Sequence, residues 1–209
     1  MVQFITHSNG KYSYVDSARL ALEGGCRWIQ LRMKNVTPDE VYAAGKEVKE
    51  LCKRHNATFI IDDYVEIAKD LLPHGVHLGK SDMPIGDARK VLGPKAIIGG
   101  TANTFDDVKS LQQSGANYIG CGPFRYTTTK ANLSPILGLD GYGDIIAKMK
   151  EANIDIPIVA IGGITENDIP HIMKLGISGI ALSSSVLNAA DPVNEMRKIT
   201  SLVQSWKNL

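Results

Sequence analysis

The chain has 209 residues, of which 44% are hydrophobic, and its formal net charge is +1. This length and apolar content suit one domain with a sizeable core. The near-zero charge provides no overall attraction to nucleic acid or to an anionic membrane, so we expect neither as a partner. Any affinity for anions must therefore be local.

The three cysteines, Cys26, Cys52 and Cys121, are odd in number and form no CxxC pair. We interpret them as reduced and mostly buried thiols, which predicts a cytoplasmic protein. The N-terminal stretch MVQFITHSNGK has no basic region followed by a long apolar stretch. No apolar run approaches the roughly 18 residues of a membrane span, so we expect neither a signal peptide nor a membrane anchor.

Eight short apolar runs, rich in β-branched residues, alternate with amphipathic segments along the chain. Nearly continuous hydrophobicity of this kind is typical of strands that are buried on both faces. The predicted strands are VQFIT (2–6), RWIQLR (27–32), TFIID (58–62), GVHLG (75–79), AIIGG (96–100), NYIGCG (117–122), IPIVAIGG (156–163) and SGIALSS (178–184).

The intervening segments carry helix signals. Segment 37–56 begins with Thr37 as its predicted N-cap, Pro38 at the first helical position and Glu40 three residues after the cap. The other predicted helices are 87–93, 104–115, 166–176 and 191–208.

Eight strand–helix units of similar length predict an α/β fold, a compact (β/α)₈ TIM barrel that residues 1–209 form as a single domain. An open doubly wound sheet is the alternative. The barrel is favoured because no GxGxxG motif follows the first predicted strand.

In such a barrel, the residues just after each strand face the catalytic rim. Gln30, Arg32 and Lys34 alternate at period two, so they project to one side of an extended segment, with Leu31 and Met33 on the other. Arginine and lysine together suit a phosphate or a diphosphate. Solvated charges at an exposed strand end remain the alternative.

Carboxylates follow the third and fourth predicted strands. Asp62 and Asp63, together with Asp82, fit a Mg²⁺ site, because Mg²⁺ is usually held by one or two carboxylates together with substrate phosphates. We expect the Asp63 and Asp82 carboxylates to face one another across a metal-sized gap. Alternatively, Asp63 caps a helix that begins near Tyr64, and Asp82 caps a turn before Pro84.

The ends of the seventh and eighth predicted strands suit a phosphate, as they commonly do in this fold. AIGGI (160–164) offers unobstructed backbone N–H groups, and SSS (183–185) adds hydroxyls where a helix can begin. The rim therefore predicts two anion sites, a diphosphate with Mg²⁺ near strands two to six and a monophosphate near strands seven and eight.

His77 fits a packed, hydrogen-bonded role better than a catalytic one.

Seven motifs in this order resemble those of one known family. They are QLRMK (30–34), IIDDYVEIAKDLLPHGVHLGKSDMP (60–84), IIGGTANT (97–104), YIGCGPFRYTTTK (118–130), LGLDGY (137–142), IPIVAIGGI (156–164) and GIALSSSV (179–186). Together they run nearly end to end, and the chain resembles the thiamine-phosphate synthases. The resemblance implies that a pyrimidinylmethyl diphosphate is joined to a thiazole phosphate, giving thiamine phosphate and pyrophosphate.

The resemblance also implies a dissociative mechanism and a role for each matching residue. The diphosphate leaves first, and the thiazole nitrogen then attacks a pyrimidine methyl cation. The implied catalytic residues are Arg32, Lys34, Thr101 and Lys130. The implied substrate-binding residues are Gln30, Arg32, Lys34, Asp62, Thr101, Thr127, Thr129, Lys130, Gly163, Ser183 and Ser184, with Asp63 and Asp82 as ligands of Mg²⁺.

The chain departs from the family pattern at several positions. Asp62 stands where the family usually has Asn, and a carboxylate there repels diphosphate unless it faces the metal or is protonated. We expect Arg125 or Lys80 to offset this charge. Thr101 replaces a common Ser, Tyr64 a common Arg and Asn103 a common His.

Two other functions stay open. A thiazole tautomerase shares the barrel and the thiazole-phosphate site, but it lacks the diphosphate-binding residues, and its histidine has no clear counterpart in FRYTTTK (124–130). A non-catalytic binding protein for thiamine precursors does not need residues that activate a leaving group. The partners expected for the synthase are its two small-molecule substrates, and the sequence also allows a homo-oligomer.

Overall fold

Eight parallel strands close into a barrel in chain order, with β1 paired to both β2 and β8. The computed structural model describes residues 1–126 and 135–207. The strands are β1 Val2–Ile5, β2 Trp28–Leu31, β3 Thr58–Asp62, β4 Gly75–Leu78, β5 Ile97–Ala102, β6 Tyr118–Cys121, β7 Ile158–Ile161 and β8 Gly179–Leu182. Seven predicted apolar runs contain one strand each, and β5 overlaps AIIGG (96–100) but continues to Ala102, so the predicted TIM barrel is confirmed.

Helices follow the strands and cover the outside of the barrel. They are α1 Tyr14–Glu23, α2 Pro38–Arg54, α3 Val65–Leu71, α4 Ile85–Leu92, α5 Phe105–Gln113, α6 Gly138–Glu151, α7 Ile169–Lys174, α8 Ser184–Leu187 and α9 Pro192–Lys207, with a 3₁₀ turn at Glu166–Asp168 before α7. The five predicted helices correspond to α2, α4, α5, α7 and α9, whereas α1 and α6 were not predicted. Within the described ranges, no helix combines the length and the apolar character that crossing a membrane requires.

Side-chain caps fix where several helices begin. The Thr37 hydroxyl accepts from the backbone N–H of Glu40, and the Glu40 carboxylate accepts from the backbone N–H of Thr37, which forms the predicted capping box. Ser13 and Asp16 form the same arrangement at the start of α1. This local signal was therefore present in the sequence of α1, although the helix was not predicted.

Residues of each strand alternate between the helices and the barrel interior. Phe4, Ile29 and Val76 belong to the large apolar core between the strands and the helices. A second, smaller cluster of Ile5, Tyr118, Val159 and Ala181 belongs to four different strands and forms the apolar part of the interior. Polar side chains share this interior and are also buried, among them Gln3, Gln30 and His77. The fold thus places polar side chains in the barrel interior, beneath any site that forms at the carboxyl ends of the strands.

Close approach of neighbouring strands requires glycine at position 75. A Cβ atom there would lie 1.7 Å from the carbonyl oxygen of Ile97 on the adjacent strand. We expect Gly75→Ala to destabilise the fold by about 3 kcal/mol or more, because the backbone of β5 must move. Chemical denaturation measures this as a lower unfolding midpoint.

Gly143→Ala is the matched control. Gly143 lies within α6, where an added Cβ would meet no heavy atom within 4 Å. Alanine should stabilise this helix by about 0.5–1 kcal/mol. A wild-type midpoint for Gly75→Ala would contradict the steric argument.

Candidate active site

A cavity of about 400 Å³ opens at the carboxyl ends of the strands. Ten predicted site residues line it together: Gln30, Arg32, Lys34, Asp62, Asp63, Asp82, Thr101, Gly163, Ser183 and Ser184. The remaining three, Thr127, Thr129 and Lys130, lie outside the described residues. The barrel therefore brings together residues that are up to 154 positions apart in the sequence, from Gln30 to Ser184.

The period-two pattern after β2 places two cations at the cavity. Gln30, Arg32 and Lys34 line it, whereas Leu31 and Met33 are buried in the apolar core. The Thr6 side chain fixes the backbone of Arg32, since the Thr6 hydroxyl donates to the carbonyl of Arg32 and accepts from its N–H. The predicted one-sided projection is confirmed.

Asp62 is the buried centre of the charged group. Gln30 Nε2 donates to its Oδ1 over 2.7 Å, and Arg32 Nε and Lys34 Nζ lie 3.4 Å and 3.7 Å from its Oδ2. Burial raises the pKa of Asp62 to about 7, and the neighbouring charge of Asp63 adds to the rise, while the two cations oppose it. Desolvation thus outweighs the two ion pairs at this carboxylate.

The expectation that Arg125 or Lys80 offsets Asp62 is wrong. Arg125 forms a bidentate ion pair with Asp168, with N–O distances of 2.7 and 2.8 Å. Lys80 Nζ lies 2.7 Å from Asp107. Arg32 and Lys34 offset Asp62 instead, because the β2 and β3 strand ends are adjacent, whereas the other two cations have closer carboxylates within reach.

Asp63 and Asp82 follow adjacent strands, and each carboxyl group shifts the pKa of the other. Burial and then the neighbouring Asp63 carboxyl raise the pKa of Asp82. Burial also acts to raise the pKa of Asp63, but Asp82 and Lys34 outweigh it and leave that pKa lowered. A metal-sized gap between the two carboxylates stays a prediction.

The alternative capping role is wrong for Asp63, whereas Asp82 does cap a turn before Pro84. The N-cap position of α3 is Tyr64, which makes no side-chain cap, and Asp63 instead pairs with Lys34. Asp82 Oδ2 accepts from the backbone N–H of Gly79 over 2.6 Å, which fixes the loop after β4. Asp63 also has a positive φ of 64°, a backbone conformation that residues other than glycine rarely adopt.

The ends of β7 and β8 form the opposite side of the cavity. Gly162 and Gly163 have positive φ angles of 103° and 68°, and a Cβ on Gly163 would lie 2.5 Å from Arg125 Cγ. Ser183 Oγ is buried and has no hydrogen-bond partner within the described residues. A buried hydroxyl without a partner favours a polar ligand at this side.

Comparison with known proteins identifies the family. A family model described as thiamine monophosphate synthase matches residues 2–186. The chain belongs to the thiamine monophosphate synthase family. The family predicted from the seven motifs is thereby confirmed, as is the prediction that the chain is an enzyme of this kind.

Full-length relatives carry the same name. A thiamine-phosphate synthase of Phocaeicola vulgatus is 63% identical over 201 residues, which cover 96% of this chain and 97% of that protein. A thiamine-phosphate synthase of Bacteroides fragilis is 60% identical over the same length, with 96% and 98% covered. The solved structure of a thiamine phosphate pyrophosphorylase from Pyrococcus furiosus has a TM-score of 0.86 at 33% identity, with 98% and 96% covered.

Several cavity residues of this family member were not predicted as site residues. Gln3 projects inward from β1, and Asn103, Gly79 and Lys80 line the rim. His77 is packed and hydrogen-bonded as predicted, but it also lines the cavity. The signal for Gln3 was available, because a polar residue inside the apolar run VQFIT (2–6) is expensive to bury unless it has a partner.

The residues at Asp63 and Asp82 fit a divalent cation. Both are hard oxygen ligands that follow adjacent strands, and each carboxyl group affects the protonation of the other. Among the residues that the structure describes, no group of three or more His, Cys, Asp or Glu side chains is arranged to hold a metal. The pair therefore provides two ligands, which suits an ion whose other ligands are water and substrate phosphates.

The Asp62 carboxylate should weaken anion binding, because it occupies Arg32 and Lys34 and adds a negative charge to the cavity. We expect Asp62→Asn to lower the Kd of inorganic pyrophosphate, measured by calorimetry, by about tenfold. The amide oxygen still accepts from Gln30, so the local contact is kept. Exposed Asp70 supplies the control Asp70→Asn, and equal or weaker binding by Asp62→Asn would refute this role.

Proposed function

We propose that the chain joins 4-amino-2-methyl-5-pyrimidinylmethyl diphosphate to 4-methyl-5-(2-phosphoethyl)thiazole. The products are thiamine phosphate and pyrophosphate. The C–O bond to the diphosphate breaks first, and the thiazole nitrogen then attacks the pyrimidine methyl cation. The observation that carries the proposal is the single cavity in which two cations, a carboxyl pair and a glycine-serine phosphate cradle meet.

The pyrimidine diphosphate belongs at the β2–β5 side of the cavity. Arg32, Lys34 and Lys130 stabilise the charge that develops on the leaving diphosphate, and Thr101 donates its hydroxyl to it. Gln30 and Asp62 hold the pyrimidine. The buried Gln30 Oε1 supports this assignment, because it has no hydrogen-bond partner in the described part of the chain and can accept from an amino group.

Asp63 and Asp82 would hold Mg²⁺, which would supply positive charge against the diphosphate. Lys34 lies against Asp63 and connects the metal site to the cationic side. The attack by the thiazole nitrogen needs no general base, since a neutral nitrogen meets a cation. The chemistry therefore requires positioning and charge stabilisation more than proton transfer.

The thiazole phosphate belongs at the β6–β8 side. Gly163, Ser183 and Ser184 cradle its phosphate, together with Thr127 and Thr129. Support comes from the positive φ of Gly163 and the unpartnered Ser183 hydroxyl described above. The two anions then enter from opposite sides of one cavity, which places the thiazole nitrogen opposite the breaking bond.

Residues 1–209 act as one catalytic domain in this proposal, and the protein works in the cytoplasm. The three cysteines support a reducing compartment, since all are free and buried. A homo-oligomer stays a prediction.

Pyrophosphate release tests the proposed reaction. Purified protein with both substrates and Mg²⁺ should release pyrophosphate, and omission of either substrate or addition of EDTA should abolish the release. We expect Lys130→Ala to reduce kcat/KM about 100-fold, because one cationic donor to the leaving group is lost. Exposed Lys109 on α5 provides the matched control Lys109→Ala, which should retain wild-type activity.

Two results would redirect the assignment. Conversion of one thiazole phosphate tautomer to the other without pyrophosphate release would favour the tautomerase. Binding of thiazole phosphate with neither reaction would favour the binding protein.

The metal role of the aspartate pair has its own test. Asp82→Asn removes one charged ligand, so the Mg²⁺ concentration for half-maximal activity should rise at least tenfold. Asp87→Asn is the matched control, because Asp87 lies on the surface of α4 and pairs with Lys90. An unchanged Mg²⁺ requirement in Asp82→Asn would remove Asp82 from the metal site.

A further inference from the structure

Four polar side chains form a hydrogen-bonded chain from the barrel floor to the rim. Gln3 Nε2 lies 3.2 Å from Tyr118 Oη, which lies 3.0 Å from His77 Nδ1. His77 Nε2 in turn lies 3.0 Å from Thr101 Oγ1. Only Thr101 has a role in the coupling reaction so far, and the other three are buried.

Two glycines make room for this network. A Cβ on Gly99 would lie 2.2 Å from Tyr118 Cζ, and a Cβ on Gly120 would lie 3.0 Å from His77 Cε1. Trp28 packs edge-on against the Tyr118 ring, with centroids 4.7 Å apart. The strands are therefore shaped around the tyrosine and histidine rings, which fixes the rings beneath the cavity.

The network has a direction, because Gln3 can only donate through its amide nitrogen. Tyr118 Oη accepts from Gln3, so its own proton points to His77 Nδ1. A neutral imidazole carries one N–H, which is then at Nε2 and points to Thr101 Oγ1. Burial raises the pKa of Tyr118, so the tyrosine keeps the proton that sets this order.

Thr101 is the last residue of this hydrogen-bonded network, at its cavity end. Its oxygen accepts from His77, so its own proton must point elsewhere, and within the described residues His77 is its only side-chain partner. Thr101 also lines the cavity, as do Arg32 and Lys34. The free direction of its hydroxyl is therefore toward the cavity.

We propose that Gln3, Tyr118 and His77 are positioning residues that hold the Thr101 hydroxyl as a hydrogen-bond donor to an anion. The identification of that anion as the leaving diphosphate rests on the proposed function. The opposite order, with the proton on His77 Nδ1, would make Thr101 donate to His77 and turn oxygen lone pairs toward the anion. The network thus decides whether the Thr101 hydroxyl turns its proton or its oxygen lone pairs toward the anion, and so whether it attracts or repels that anion.

The tautomer of His77 is the direct test. In ¹⁵N-labelled, ligand-free protein at about pH 8, where an ordinary imidazole is neutral, His77 should carry its proton on Nε2. Tyr118→Phe removes the donor to Nδ1, so a substantial Nδ1–H population should appear. Trp28→Phe changes the packing around Tyr118 without touching the network, and it should keep the wild-type tautomer. A proton on Nδ1 in the wild type would overturn the proposal.

Kinetics test the consequence at Thr101. Tyr118→Phe should lower kcat/KM for the pyrimidine diphosphate about tenfold and leave KM for the thiazole phosphate unchanged, as expected for a lost hydrogen bond to a charged group. Thr101→Val should cause a loss at least as large. In the Thr101→Val background, Tyr118→Phe should add less than a twofold loss, because the hydroxyl it positions is absent. Equal, additive losses would mean that Tyr118 acts independently of Thr101.

Binding of inorganic pyrophosphate with Mg²⁺ separates this proposal from the proposed function. Its Kd should rise about tenfold in both Tyr118→Phe and Thr101→Val. If the wild type released no pyrophosphate from the two substrates, the proposed reaction would fail, while the tautomer and the pyrophosphate affinity would still decide the role of the network. Unchanged pyrophosphate affinity in both variants would overturn the network's role whatever the reaction.

Discussion

Closure of eight parallel strands is the constraint on which the rest of the structure depends. Because all strands run in one direction, their carboxyl ends meet at one rim, and closure makes every second residue face inward. Residues as distant in sequence as Gln30 and Ser183 therefore line one cavity. The same rule places Gln3, His77 and Tyr118 in the interior, so the floor of the site is as much a product of strand register as the rim is.

Charge at the rim is balanced locally, between neighbouring strand ends. Asp62 lies against Arg32 and Lys34, and Lys34 also contacts Asp63. Away from this group, Arg125 is paired with Asp168 across the loops after β6 and β7. The cavity thus holds cations that are already compensated, so under the proposed function an incoming diphosphate must exchange partners with the carboxylates rather than meet bare positive charge. The ion pairs of the ligand-free site keep its buried charges from being unpaired until the ligand binds.

The sequence predicted the fold and most of the residues that line the cavity, because both follow from local sequence patterns. Apolar runs marked all eight strands, and the alternation of Gln30, Arg32 and Lys34 marked one side of the cavity. The partner of Asp62 could not be predicted, since it depends on which strand ends are neighbours and which cations have nearer carboxylates. Helices α1 and α6 were not predicted, although α1 carries a capping box at Ser13. The polar Gln3 inside an apolar run indicated a buried partner, but the identity of that partner, Tyr118, could not be predicted because it lies 115 residues away.

Hydrogen-bond direction is the part of the site that residue types alone do not contain. A threonine can donate or accept, and a neutral imidazole can present either nitrogen, so the sequence leaves both orders open. A donor-only group at the far end removes the freedom, and in this barrel that group is the amide nitrogen of Gln3. In the proposed reaction, which stabilises a leaving anion without a general base, a fixed hydroxyl dipole needs no reorganisation as charge develops. Under that proposal, the buried network and the cationic rim serve one requirement, which is that every group facing the anion is oriented before the bond breaks.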